Sequence, residues 1–270
     1  MTEKKELFAV PKGFDTVREG VTYGWLKEIT YYSKTTGTTR KANIILPPDY
    51  DENKKYPVLY LLHGIGGDHN EWLGAEPVNV LSNLITDGDA VSMIAVIPNV
   101  RARANDEVNP QDIYTLEHYK AFDNFINDLR DDLMPYIEAN YPVLKGKENT
   151  AIAGLSMGGR ESLYIGCSMP ESFGYIGAFT PAPGLLAYTN FGVSEDGLFT
   201  KETLTLPWNS DNFIMINAGA SDEIVSIWPK TYHETLTENG VKNTFYVTEG
   251  GHDFTVWKNG LYQYAKRIFK

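Results

Sequence analysis

The stretch Thr150-Ala151-Ile152-Ala153-Gly154-Leu155-Ser156-Met157-Gly158-Gly159 decides the fold of this chain. Its first half is a short apolar run of the kind that forms a strand buried on both faces of a sheet. Its second half is Gly-x-Ser-x-Gly running into a helical segment. The glycines permit a sharp strand-to-helix turn, which lifts the Ser156 hydroxyl above the sheet edge and directs a helix N-terminus toward any anion formed there. In a chain with 24 glycines the pattern alone is moderate evidence; its place between a strand and a helix strengthens it considerably.

Working outward, comparable apolar runs occur at residues 58–63, 93–98, 175–180, 213–218 and 244–248. With the run at 150–155 they alternate with helical patterns, which predicts a mainly parallel sheet with helices on both faces. Two β-rich stretches, 23–32 and 38–46, come first and read as an antiparallel N-terminal hairpin. Phe122, Ile126, Leu129, Leu133 and Ile137 recur at intervals of three and four, the stripe of one helix bent at Pro135. Trp257, Leu261, Tyr264, Ala265 and Ile268 repeat that spacing in a terminal helix. With no internal repeat and no linker, residues 1–20 read as an extension, flexible over the first dozen, and 21–270 as one catalytic domain.

Composition excludes several partners. The 270 residues are 42% hydrophobic and 22% charged, a globular balance, and carry a formal charge of −11. With no Lys/Arg cluster, such a surface repels a phosphate backbone, so no nucleic-acid partner is expected. Every apolar run is strand-length, too short to span a membrane. The N-terminus lacks the apolar core of a secretory signal, so the chain is read either as cytoplasmic or as lacking its leader. Cys167 is the only cysteine and lies in an apolar segment, so it forms no internal disulfide and reads as a small buried hydrophobe. His-Glu-x-x-His, paired-cysteine, P-loop and Gly-x-Gly-x-x-Gly motifs are all missing from the sequence, so neither a metal nor a nucleotide cofactor is expected.

A serine hydroxyl needs a base, and histidine is the side chain tuned for that role. Of five histidines, His252 in Glu249-Gly250-Gly251-His252-Asp253 follows the last strand, where a loop can aim its ring at Ser156. A carboxylate must then hold the imidazole, and Asp222 in Gly219-Ala220-Ser221-Asp222-Glu223 fits, with Glu223 as its rival. The order Ser156, Asp222, His252 is that of the α/β-hydrolase fold, in which backbone amides of the residue after the nucleophile and of the loop after the third strand bind the oxyanion. These are Met157 and Ile65, the latter in Leu61-Leu62-His63-Gly64-Ile65-Gly66-Gly67. His63 reads as a structural hydrogen bonder, His69 as a loop residue, and His118 and His233 as exposed or partly buried helix positions. The long stretches 99–117 and 181–207, rich in Asn, Pro, Gly and aromatics, follow predicted strands and would emerge at the carboxyl edge of the sheet, where such folds bind ligands.

With these residues in hand the chain resembles carbohydrate esterase family 1, the feruloyl and acetylxylan esterases related to esterase D and the mycolyltransferases. The marks are Asn43-Ile44-Ile45-Leu46-Pro47-Pro48-Asp49-Tyr50, residues 56–67, Ile152-Ala153-Gly154-Leu155-Ser156-Met157-Gly158-Gly159 and Gly251-His252-Asp253-Phe254-Thr255-Val256-Trp257. Residues 249–257 and the pair Glu71-Trp72 look most like feruloyl esterase modules of plant-cell-wall-degrading systems. That resemblance implies an extracellular enzyme, a module of a larger system, cleaving ferulate from arabinoxylan through an acyl-enzyme on Ser156. A planar phenolic acid asks for an aromatic-lined slot, for which Trp72, Tyr114, Leu185, Tyr188, Phe191, Trp228 and Trp257 are candidates. Alternatives are an acetylxylan esterase, an S-formylglutathione hydrolase-like esterase, an acyltransferase, or a silent hydrolase fold that binds carbohydrate.

Overall fold

The computed structural model describes residues 7–190 and 192–270. Among these the strands are β1 (Trp25–Ser33), β2 (Thr38–Leu46), β3 (Val58–Leu62), β4 (Ile94–Pro98), β5 (Thr150–Leu155), β6 (Tyr175–Phe179), β7 (Leu186–Asn190), β8 (Val193–Gly197), β9 (Phe213–Gly219) and β10 (Thr244–Thr248). Strands β7 and β8 pair with each other; the other eight form one sheet in the order β1-β2-β4-β3-β5-β6-β9-β10. Pairing is antiparallel for β1 with β2 and for β2 with β4, and parallel from β4 through β10. The expected mainly parallel α/β sheet with an antiparallel N-terminal hairpin is therefore present, its strand ends shifted by no more than two residues.

Successive side chains of a strand point to opposite faces, and the core divides accordingly. Val58, Tyr60, Leu62, Ile152 and Ile216 pack on one side, and Leu59, Leu61, Ala151, Leu155 and Met215 on the other. The second side is covered by α1 (Pro77–Thr86) and by the C-terminal helix. The first carries α2 (Leu116–Asp123), α3 (Phe125–Asp128), α4 (Met134–Asn140), α5 (Met157–Ser168) and α6 (Trp228–Glu238). The C-terminal helix is α7 (Phe254–Ala265). Cys167 is buried on α5, where desolvation pushes its thiol up to about 12, in keeping with the role of a small hydrophobe.

The helix expected from 122 to 137 is instead three pieces. A break at Asn124 separates α2 from α3, and a π-turn (Leu129–Leu133) precedes Pro135, whose missing N–H cannot continue the ladder. Phe125 consequently takes the fully buried position expected of Ile126, which is only partly buried.

A second departure concerns the expected loose N-terminal extension. Phe8 stacks on Tyr246 with ring centroids 4.0 Å apart, and Asn259 and Gln263 of α7 donate to the Phe8 and Ala9 carbonyls at 3.0 and 2.9 Å. Asn83 of α1 donates to Phe14 and Thr16, while Arg18 pairs with Asp87 at 2.9 Å. Residues 8–18 are thus strapped across α1 and α7. No helix among the described residues is long and apolar enough to cross a membrane.

Because six strands run parallel, their carboxyl ends share one edge, and the segments 63–70, 99–115, 180–185, 220–227 and 249–253 all emerge there. The strap makes a stability statement that can be checked. Truncation of a buried Phe costs about 3 kcal/mol, so Phe8→Ala should lower the melting temperature by roughly 6–10 °C in a thermal unfolding scan.

Candidate active site

Ser156 sits at the turn from β5 into α5 with φ 53° and ψ −118°, a left-handed conformation unfavourable for a residue with a Cβ. Three backbone bonds fix it there. Its N–H donates to the Phe179 carbonyl at 2.9 Å, and its carbonyl accepts from Arg160 and Ala182 at 3.1 and 3.0 Å. The glycines answer to space: a Cβ at Gly154 would lie 2.3 Å from the Gly158 backbone, and one at Gly158 would lie 2.2 Å from the Leu62 oxygen.

His252 reaches the same point from the loop after β10. Its Nε2 is 2.8 Å from Ser156 Oγ, and its Nδ1 is 2.8 Å from Asp222 Oδ2. The Asp222 and His252 loops are zipped together beyond the strands, since Ala220 N–H donates to the Thr248 carbonyl and Ser221 N–H and Oγ to that of Gly250. The other Asp222 oxygen accepts the Ile224 and Val225 amides at 3.0 and 3.1 Å, which leaves the carboxylate one orientation. Glu223 is exposed and takes no part in this line. In such a line Nδ1–H donates to the aspartate, and Nε2 is free to take the serine proton.

The expected oxyanion donors, Ile65 and Met157, lie on the two segments that meet at the serine. Met157 opens α5, so its N–H has no intrahelical acceptor. The loop carrying Ile65 abuts the turn so closely that a Cβ on Gly64 would be 3.4 Å from Ser156 Cβ. Side chains from several segments brace that loop. Gly64 N–H donates to Glu71 Oε2 at 2.6 Å, and Trp72 Nε1–H to the Leu62 carbonyl at 2.9 Å. His63 Nδ1–H donates to the Gly64 carbonyl at 2.7 Å while its Nε2 accepts the Val100 N–H at 2.8 Å, which fixes the tautomer. Burial, with the Arg101 charge nearby, lowers the His63 pKa to about 3, so the ring is neutral. His118 Nε2–H donates to the Ile65 carbonyl at 2.9 Å, and the Arg101 guanidinium to that of Gly67.

The aromatic candidates mostly fall elsewhere than expected. Trp72 and Leu185 are fully buried and belong to the core, and Tyr188 is buried between Tyr119 and Trp228. Trp257 is also buried: it meets the His252 ring edge to face at 5.2 Å and donates Nε1–H to Thr180 Oγ1 at 2.8 Å, supporting the imidazole from behind. Large side chains reach the interior because they bury the most apolar area. Tyr114 is exposed and Trp228 partly so; Phe191 lies outside the described residues. Leu116, Ile224 and Ile227, on segments that leave the carboxyl edge, are also exposed, and none of them was singled out by the sequence reading.

The braces were largely missed as well. His118 is fully buried rather than surface-facing, because its partner at Ile65 is brought close only by the tertiary fold. Arg101 is likewise buried, and nothing in its local sequence marks it. His63 holds the structural role expected of it.

A family model named Esterase matches residues 33–268. A solved CE1 ferulic acid esterase of Anaeromyces mucronatus, in complex with ferulic acid, superposes with a TM-score of 0.91 at 40% identity over 97% of each chain. An endo-1,4-beta-xylanase/feruloyl esterase of Xylanibacter ruminicola is 29% identical over 98% of this chain, and endo-1,4-beta-xylanase Y of Acetivibrio thermocellus is 25% identical over 77%. The matches cover 34% and 20% of the lengths of those two proteins.

Because only Asp222 touches His252, the two acidic neighbours should separate cleanly. Asp222→Asn should lower kcat on an activated aryl ester by about 10⁴-fold through the wrong imidazole tautomer. Glu223→Gln should leave steady-state rates within about twofold.

Proposed function

We propose that this chain, which belongs to the Esterase family and within it to carbohydrate esterase family 1, is a serine carboxylic-ester hydrolase that releases ferulate and related hydroxycinnamates from arabinoxylan. The observation that carries the reading is the pair of 2.8 Å hydrogen bonds joining Ser156, His252 and Asp222. His252 takes the proton as Ser156 Oγ attacks the ester carbonyl, and Asp222 stabilises the imidazolium that results. The amides of Ile65 and Met157 receive the oxyanion, where preorganised donors are worth most. The same imidazolium gives its proton to the departing sugar oxygen, which leaves as a hydroxyl. The neutral imidazole then takes a proton from the water that attacks the acyl-enzyme and returns it to Ser156 Oγ as the acid leaves.

The acyl group is argued from likeness and from surface. Both the ferulate-complexed relative and the xylanase/feruloyl esterase point to a hydroxycinnamate. The exposed Tyr114, Leu116, Ile224 and Ile227, from the segments following β4 and β9, supply apolar area for a planar ring. A polymeric xylan substrate places the work outside the cell, with this chain acting alone or as one module beside a xylanase. Feruloylated xylan oligosaccharides are the preferred partner and acetylated ones the alternative.

A panel of methyl ferulate, methyl p-coumarate, an aryl acetate, acetylxylan and S-formylglutathione tests both levels. Ser156→Ala should reduce hydrolysis of every cleaved ester by at least about 10⁴-fold. Wild type should show its highest kcat/KM on methyl ferulate. Preference for acetylxylan or S-formylglutathione would overturn the acyl assignment while leaving the chemistry standing.

A further inference from the structure

We infer that Glu71 is a positioning residue for the oxyanion site: its partly buried carboxylate, by accepting the Gly64 N–H, fixes the chain direction from which the Ile65 N–H is presented. The inference rests on the acyl-transfer reading above and adds a residue that never touches the substrate.

A trans peptide is planar, with its C=O and N–H pointing in opposite directions. The Ile65 N–H therefore points away from the Gly64 carbonyl, and whatever holds that carbonyl aims the donor. His63 Nδ1–H and the Gly67 N–H hold it at 2.7 and 3.1 Å. The peptide after it is held through the Ile65 carbonyl by His118. Glu71 holds the peptide before it, through the Gly64 N–H at 2.6 Å. Gly64 is the free joint between these planes, because glycine has the widest φ/ψ range of any residue. With both flanking planes fixed, the joint has one setting.

The carboxylate is delivered from a rigid base. Glu71 opens a short 3₁₀ turn (Glu71–Ala75), and the next residue, Trp72, is fully buried with its indole donating to the Leu62 carbonyl. The loop closes tightly over the acid: a Cβ at Gly67 would lie 2.3 Å from Glu71 Oε2 and 2.9 Å from Glu71 Cβ. Burial pushes the Glu71 carboxyl up, and the Gly64 N–H is the strongest influence holding it down. A carboxylate in so confined a place is more than is needed to close a surface turn, and the Gly64 amide is the one donor shown bonding to it.

The test measures kcat and KM of the full chain on 4-nitrophenyl acetate, together with inhibition by phenylboronic acid, which forms a tetrahedral adduct on the serine. Removing one oxyanion donor outright costs about 10²–10³ in kcat, so a misaimed donor in Glu71→Ala should cost about 10–100-fold. KM should stay within about twofold, and phenylboronic acid should weaken by the same factor as kcat. Glu71→Gln, which keeps an acceptor oxygen, should stay within about fivefold of wild type. If Glu71→Ala does not fold, Glu71→Asp, which withdraws the acceptor by one methylene, should show the same fall.

The inference is overturned by a kcat within twofold of wild type in the folded variant lacking the contact. It is equally overturned if that variant loses melting temperature but no boronate affinity, or if Glu71→Gln is as impaired as Glu71→Ala. Ser156→Ala is the control that separates failures. Should it retain activity, the acyl-transfer reading itself fails; if it is inactive, those outcomes count against Glu71 alone.

Discussion

A side chain at position 158 would put its Cβ 2.2 Å from the Leu62 oxygen and 2.6 Å from that of His63. The turn that carries Ser156 and the turn that leaves β3 can therefore meet only backbone against backbone. Strands β3 and β5 are parallel neighbours with Leu62 opposite Gly154, so both turns start from the same level of the sheet. That contact brings the loop that holds Gly64 and Ile65 against the turn that holds Ser156 and Met157. It also maintains the unfavourable φ of Ser156, a conformation costing of order 1–3 kcal/mol that persists only when its surroundings over-determine it.

Along the line from Ser156 through His252 to Asp222, exposure is least at the carboxylate. Ser156 is 8% exposed, and the side chains of His252 and Asp222 are 14% and 2% exposed. A carboxylate so buried is tolerable because both its oxygens have donors: the imidazole for one, two backbone amides for the other. The loop after β3 follows the same rule. Its carbonyls at 62, 64, 65 and 67 each accept from a buried side chain, drawn from Trp72, His63, His118 and Arg101. Donors fixed this way need little reorganisation when charge develops, which is the source of their catalytic worth.

What was legible in the sequence was what local pattern encodes. The parallel strands announce themselves as apolar runs, and Ser156, Asp222 and His252 each follow one of them, so chain order alone brought them to one edge. Long-range geometry was not legible. His118 meets Ile65 across 53 residues, and only the fold tells that its ring is buried. The β7–β8 hairpin was hidden inside a segment read as irregular, because Leu186-Ala187-Tyr188-Thr189-Asn190 and Val193-Ser194-Glu195-Asp196-Gly197 are short and end in polar turn residues. In the helix at 122–137, the break at Asn124 changed the phase of the apolar stripe and exchanged Ile126 for Phe125.

Trp72, Leu185, Tyr188 and Trp257 lie in the core for a related reason, and their burial says how this edge divides its labour. Large rings are recruited to the core wherever they fit, so Trp72 came to support the oxyanion loop and Trp257 the imidazole. Tyr114, Leu116, Ile224 and Ile227 face solvent, on segments that follow β4 and β9 and whose backbones are not part of the sheet. The groups that do chemistry are fixed by strand ends and backbone contacts, where a single added methyl would clash. The exposed apolar side chains lie on segments outside the sheet, and Ile224 among them is tied to the triad by its own amide, which donates to Asp222 Oδ1. Esterases of this fold can thus share a nucleophile turn and still differ in substrate.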